Sequence, residues 1–165
     1  MRIPLFSPRR ARIAEVEALG IAIAAEPVTV HPGDKLNVTV DVTNPDDFSV
    51  DYRITHLLLE QYVGWRHDWI LMGDCEVYNQ PWQSIPSGKT LPVTGVGDPH
   101  VDYHTFTIPS DIGNVPAEHC KVTVDIEGRK TDDHSVTDSW SWSETGKFEI
   151  AAGLSKPDVS IDVST

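Results

Sequence analysis

The sequence predicts an all-β domain, an antiparallel β-sandwich of about 8–9 strands. Three observations lead there. First, Leu36, Val38, Val40 and Val42 alternate with Lys35, Asn37, Thr39 and Asp41. A period of two means a strand with one face in a core and the other in water. Second, short alternating segments recur along the chain with turn residues between them at close spacing. Third, 165 residues suffice for one domain with a real core, so no disulfide framework is needed. The two cysteines, Cys75 and Cys120, are too few for one. They read as two separate buried thiols, with a bridge across the sheets as the alternative.

Residues 1–13 stand apart from the rest. Arg2, Arg9, Arg10 and Arg12 give the segment a charge of +4 with no acid. The remainder then holds 9 basic and 25 acidic residues, a charge of −16. Pro4 and Pro8 oppose regular structure, so the segment reads as a basic extended arm. Ile3, Leu5 and Phe6 give it apolar area to bury against a neighbour. Ala11 to Leu19 reads as a short helix from its Ala and Glu content, with an extra strand as the alternative.

The sandwich is expected over 14–153. It opens with two strands flanking a turn at His31-Pro32-Gly33-Asp34, where Pro presets φ and Gly tolerates positive φ. Tyr52 to Tyr62 is the next strand, with Ile54, His56, Leu58 and Glu60 on one face. Its Leu57-Leu58-Leu59 run suggests burial on both sides for part of its length. Trp69 to Val77, Trp82 to Ile85, Leu91 to Val96 and His100 to Ile108 follow, and 109–116 is a loop. Cys120, Val122, Val124 and Ile126 align on a strand. Ser139 to Glu144 alternates Ser with Trp, and Phe148 and Ile150 close the sandwich. Residues 154–165 are a tail or, through Val159 to Val163, a last edge strand.

The order of these signals resembles the N-terminal half of an arrestin-like sandwich, an immunoglobulin-like fold found in arrestins and the related bacterial sporulation-control proteins. The matching pieces are the opening strand before Pro27, Val30-His31-Pro32-Gly33-Asp34, and alternating Leu36 to Val42. The Leu run in Ile54 to Leu59, Phe106-Thr107-Ile108-Pro109-Ser110 and Cys120 to Ile126 complete them. They span roughly 18–151. Arrestins have two such domains, and this chain has room for one. The resemblance implies a sandwich that binds other proteins. No receptor-binding or phosphate-sensing residues carry across.

Charge narrows the function. A net charge of −12 repels nucleic acid and anionic membrane. The 16 Asp against 9 Glu, with 6 Lys, resemble salt-adapted proteins such as those of halophilic archaea, an ordinary acidic β protein being the alternative. No apolar run approaches the ~20 residues that span a bilayer, and no export signal follows the basic N-terminus.

His100, Asp102 and His104 share one strand face, a donor set that suits Zn²⁺. A row of three spans about 13 Å at ~3.3 Å per residue, however, so a straight strand cannot bring all three to one ion. His67-Asp68 and Asp132-Asp133-His134 have weaker claims. No nucleophile elbow or phosphate loop is present, and no cofactor is expected. Trp140 and Trp142 alternate with Ser139, Ser141 and Ser143, which makes the indoles core if the serines face water. Trp65 and Trp82 lie near loops and are candidates for an interaction surface.

The function that fits is a non-enzymatic structural or assembly protein held on a larger particle by its arm. Arg2, Ile3, Leu5, Phe6, Arg9, Arg10, Arg12, Trp65 and Trp82 would make the protein contacts, with other proteins or further copies of the chain as partners. Decoration, turret or tail components of virions, here of a halophilic archaeal virus, share this plan by analogy. The alternatives are a cytosolic arrestin-like adaptor and a metal-binding protein using His100 and His104.

Overall fold

The computed structural model describes residues 20–76, 80–97 and 101–152, with the backbone alone at Asp74 and Cys75. The N-terminal arm, the Ala11 to Leu19 segment, His100 and the tail from 153 onward lie outside the described residues.

Among the described residues eleven strands form in chain order: β1 (Ile21–Glu26), β2 (Thr29–Val30), β3 (Lys35–Thr43), β4 (Val50–Val63), β5 (Asp68–Cys75), β6 (Gln83–Ile85), β7 (Thr90–Pro92), β8 (His104–Thr107), β9 (Cys120–Lys130), β10 (Asp133–Thr145) and β11 (Glu149–Ile150). A 3-10 turn at Ala117–His119 leads into β9. In one sheet β3 is central, with β1 along one side and β7 and β8 in succession along the other. The second sheet runs β10-β9-β4-β5, with β6 beside the start of β4. Every pairing in these two sheets is antiparallel. The two faces meet in one core that joins Leu36, Val38, Val40 and Val42 of β3 to Cys120, Val122, Val124 and Ile126 of β9. This is the immunoglobulin-like, arrestin-like sandwich that the sequence resembles.

The predicted turn before β3 is present. Gly33 has φ of 87°, a left-handed conformation that a β-carbon would oppose. Asp34 donates its N–H to the His31 carbonyl at 2.9 Å, and the Asp34 carboxylate accepts from the His31 N–H at 2.9 Å. Main-chain bonds between Gly33 and Ile108, and between Ile108 and Asp34, fasten the turn to the end of β8.

On β4 the structure corrects the expected faces. Ile54 pairs with Ile126 of β9, but His56 pairs with Asp125, leaving Thr55 as an extra residue. Such a bulge reverses the alternation. Tyr52 and Ile54 are buried before it, Leu57 and Leu59 after it. His56, Leu58 and Glu60 therefore do not share the face of Ile54. The bulge keeps β4 in phase with β9, so that Leu57 meets Val124 and Leu59 meets Val122. A second extra residue, Met72, lies on β5 between the Leu59–Gly73 and Glu60–Leu71 pairs.

Other differences concern extent. The segment read as Leu91 to Val96 is paired only at Thr90–Pro92, because the chain turns at Gly95, which has φ of 67°. There a β-carbon would sit 2.8 Å from the Val101 carbonyl oxygen. The strand read from His100 begins at His104. β10 starts at Asp133, earlier than expected, and β11 pairs in parallel with β2.

Asn44 fixes the start of β4 against β6. Its side-chain NH₂ donates to the carbonyls of Phe48 and Ile85, both at 2.8 Å, its side-chain oxygen accepts from the Asp46 N–H, and its main-chain carbonyl accepts from the Gly88 N–H. This buried amide holds the segment that carries Trp82 beside β4.

Candidate functional site

The outer face of the five-stranded sheet carries two groups of indole and cation, one at each end of β4. At the first end, β4 and β9 place two ion pairs side by side in opposite sense. Arg53 stands opposite Glu127, and Asp51 opposite Arg129. Arg53 donates its Nε–H to Glu127 Oε1 at 2.5 Å, and Arg129 its Nε–H to Asp51 Oδ2 at 3.1 Å. The guanidinium groups thus lie on a diagonal. Trp82, one residue before β6, covers them, with its ring centroid 4.2 Å from Arg53 Cζ and 4.1 Å from Arg129 Cζ. Cation–π attraction of this kind holds a planar guanidinium against an indole face.

Asp51 anchors the group. Its side chain is 9% exposed and also accepts from Thr131 Oγ1 at 2.8 Å, while His134 Nε2 lies 3.7 Å away. A depression of about 420 Å³ opens beside Trp82, lined by Glu127, Arg129, His134, Thr137, Asp138 and Ser139. Glu127, Arg129, Thr137, Asp138 and Ser139 stand on the paired strands β9 and β10, a more rigid mount than a loop.

At the other end, the β4–β5 hairpin projects Trp65, which is 85% exposed. The turn closes through bonds from the Arg66 N–H to the Val63 carbonyl and from the His67 N–H to the Gly64 carbonyl. Below the tip, the Tyr62 ring meets Trp69 edge-on at 5.4 Å and His119 at 5.3 Å. Lys121 Nζ lies 4.4 Å from the Trp69 centroid and 3.5 Å from Glu60. Leu71, 52% exposed, continues the apolar surface.

Of the predicted contact residues, Trp65 and Trp82 fall at opposite ends of this face, and the structure does not bring them together. Arg2, Ile3, Leu5, Phe6, Arg9, Arg10 and Arg12 lie outside the described residues. Trp140 is core, in contact with Tyr52 at 6.1 Å, and Trp142 is half-buried, while Ser139, Ser141 and Ser143 are exposed. His104 packs edge-on against Phe106 at 5.0 Å, and burial lowers its pKa. Among the described residues no three His, Cys, Asp or Glu side chains group as metal ligands. Cys120 is a free thiol with no exposed surface, and burial pushes its pKa up to about 12. The Arg53, Arg129, Glu127 and Asp51 group escaped the sequence. Its signal, opposite charges at outward positions of two strands, needs the register between β4 and β9 before it can be seen.

No protein-family model matches the chain, and no curated protein does. Solved structures do. The chain is similar to Spo0M, a sporulation control protein from Bacillus subtilis, with 16% identity and a TM-score of 0.49 over 81% of this chain and 49% of that one. It spans about half the length of Spo0M. It is also similar to the ASH/PapD-like domain 7 of human CEP192, with 10% identity and a TM-score of 0.44 over 81% and 85% of the two chains. A third likeness, to AvmM, which catalyses macrocyclization in alchivemycin A biosynthesis, has 13% identity and a TM-score of 0.32 over 82% and 90%. At these values the likenesses concern layout, and none assigns a partner or an activity.

Proposed function

We propose that this protein is a non-enzymatic docking domain, a β-sandwich that binds protein partners within a larger assembly. The observation that carries this is Trp65, 85% exposed at the tip of a hairpin, with Leu71 half-exposed on the strand that leaves it. Indole combines large apolar area with few rotatable bonds, so it anchors interfaces at low ordering cost. The test is purification from the native source with size and stoichiometry measured, beside the same preparation of Trp65→Ser. The wild-type chain should travel with a partner in fixed ratio. The substitution should weaken the complex by about 2 kcal/mol, roughly 30-fold. A chain that purifies alone, at a size Trp65→Ser leaves unchanged, would refute the proposal.

The finer proposal is a shell or decoration component that uses residues 1–13 as a second contact. It is supported by the charge contrast between the +4 arm and the −16 remainder. Deleting residues 1–12 should abolish attachment and leave the strand content intact by circular dichroism. Normal assembly of the truncated chain would exclude a docking arm. A salt-adapted setting is a separate proposal, supported by the excess of Asp. The melting temperature should rise in multimolar KCl as ions screen the surplus acid. An unchanged or lower value would remove it.

A further inference from the structure

Arg129 offers more hydrogen-bond donors than the described residues use. A guanidinium carries five N–H donors in a planar fork. Arg129 gives its Nε–H to Asp51, and no other described residue accepts from it. Its orientation is nonetheless fixed, by Asp51 on one side and the Trp82 ring on the other. The guanidinium therefore lines the 420 Å³ depression as a pre-oriented donor. Around it stand the hydroxyls of Thr137 and Ser139, both exposed on β10, and the half-exposed ring of His134. Asp and Glu outnumber Lys and Arg 25 to 13 in this protein, and the wall of the depression also carries Glu127 and Asp138.

We propose that this depression binds a single carboxylate, presented by an acidic side chain of a peptide. The Nη groups of Arg129 would take the carboxylate as a bidentate pair, with Thr137 and Ser139 donating from the β10 wall and Trp82 supplying the flat floor. The volume falls in the ordinary range for a bound ligand, about 300–1,000 Å³. The charge of the surroundings selects the monoanion. Glu127 and Asp138 share the wall, Asp51 stands behind Arg129, and the chain carries −12 overall. Attraction and repulsion both scale with ligand charge, and with three carboxylates set against Arg129 and Arg53 the sum disfavours a phosphate dianion more than a carboxylate. Arg53 supports the site through the shared indole, as a positioning residue.

The test uses the full chain, ¹⁵N-labelled, with the Trp82 indole N–H and the Arg129 Nε–H followed by NMR. The probe is the capped peptide acetyl-Gly-Asp-Gly-amide, and its twin carries Asn for Asp. The Asp peptide should shift both resonances saturably and the Asn peptide should leave them in place. Arg129→Gln and Arg129→Lys should each weaken binding by about tenfold or more, because a point charge does not reproduce the fork. Thr43→Val, on the outer face of the other sheet, should bind as wild type. If Arg129→Gln loses the dispersed spectrum of the folded chain, Thr137→Val with Ser139→Ala provides the second variant, expected to weaken binding severalfold. Equal shifts from the Asn peptide, unmoved Trp82 and Arg129 signals, full affinity in the variants, or tighter binding of inorganic phosphate would each overturn the proposal. No partner protein enters this experiment, so its failure would leave docking through Trp65 untouched.

Discussion

The two sheets present different outer faces to water. On the β10-β9-β4-β5 sheet opposite charges are paired across strands: Arg53 with Glu127, Arg129 with Asp51, and Lys121 with Glu60. The rings of Trp82 and Trp69 lie over those three cations. On the β3 sheet the outer face carries Asn37, Thr39, Asp41 and Thr43, flanked by exposed Ala22 and Ala24 of β1. Short polar bonds hold it together, Thr43 with Thr90 at 2.7 Å, Thr105 to Asn37 at 2.8 Å and Lys35 to Thr107 at 2.8 Å. Its carboxylates, Asp41 and Asp102, repel. The first face is built from half-buried charges oriented by their partners on the neighbouring strand. The second is a solvated scaffold face. The same alternating pattern writes both, so the difference lies in what stands opposite each outward residue.

Breaking the phase of β4 would have the largest effect, because that phase decides which residues reach the first face. Removing Thr55 together with His56 would place Leu57 directly after Ile54 and turn Leu57 and Leu59, both fully buried, toward water. At roughly 1.5–3 kcal/mol for each side chain, the loss is about 3–6 kcal/mol, comparable with the whole stability of a small domain. The deletion variant should be unfolded or nearly so by urea denaturation. A sharper form compares neighbours. Leu57→Ala should cost about 2–5 kcal/mol and Leu58→Ala, on the outer face, less than about 1 kcal/mol. Equal costs would mean that no bulge separates the two halves of β4.

The position of that bulge explains how much could be read from the sequence. β3 and β9 were legible residue by residue, since each keeps strict alternation and pairs without a shift along its buried residues on at least one side. The turn at His31–Asp34 was legible because Pro and Gly each have one conformational job there. On β4 the residue types are as apolar on one parity as on the other around Leu57-Leu58-Leu59, and Thr55 carries no mark of a bulge. Its phase is set by packing against β9. Parallel pairing of β11 with β2 joins residues 120 apart, as Thr29 and Glu149 show, and no local signal predicts it. Trp82 was legible as a surface aromatic from its place beside a turn. The arginines beneath it were not, because their meeting is a fact of register.

Next in size are substitutions within the two tryptophan classes. Trp140, 7% exposed, joins the core through Tyr52, so Trp140→Ala should cost about 3–5 kcal/mol. Trp65→Ala should stay within about 0.5 kcal/mol in the same urea assay. A large loss at Trp65 would make it a structural residue and remove it from the interaction surface.

Smaller still is the loss of one cross-strand ion pair on the first face. Arg129→Gln leaves the Asp51 carboxylate, 9% exposed, with Thr131 and His134 as its partners. A hydrogen bond to a charged group contributes about 1.5–3 kcal/mol, and the variant should lose roughly that much. The counterpart on the second face is Thr43→Val, which breaks the bond to Thr90 where water can replace it. It should change stability by no more than about 0.5 kcal/mol. Equal losses would mean that the two faces are held in the same way.

The smallest effect has the opposite sign and separates the faces by pH. Burial first, and then the charge of Asp102, raise the Asp41 pKa above its ordinary value of 3.8. The folded state therefore holds this proton more tightly than the unfolded chain does. Its contribution to stability is fully present below pH 3.8 and is lost as pH rises through the raised value. Above the raised value only the folded state bears the cost of burying the charge and the repulsion from Asp102. Asp41→Asn should then raise the urea midpoint at pH 7, and the gain should vanish at about pH 3, where the wild-type side chain is itself neutral. Asp51→Asn, made on the other sheet, should lower the midpoint at pH 7 because it removes the partner of Arg129. A gain from Asp41→Asn that persists at pH 3 would trace it to packing, and the same sign for both substitutions at pH 7 would erase the contrast between a face of paired charge and a face of unpaired charge.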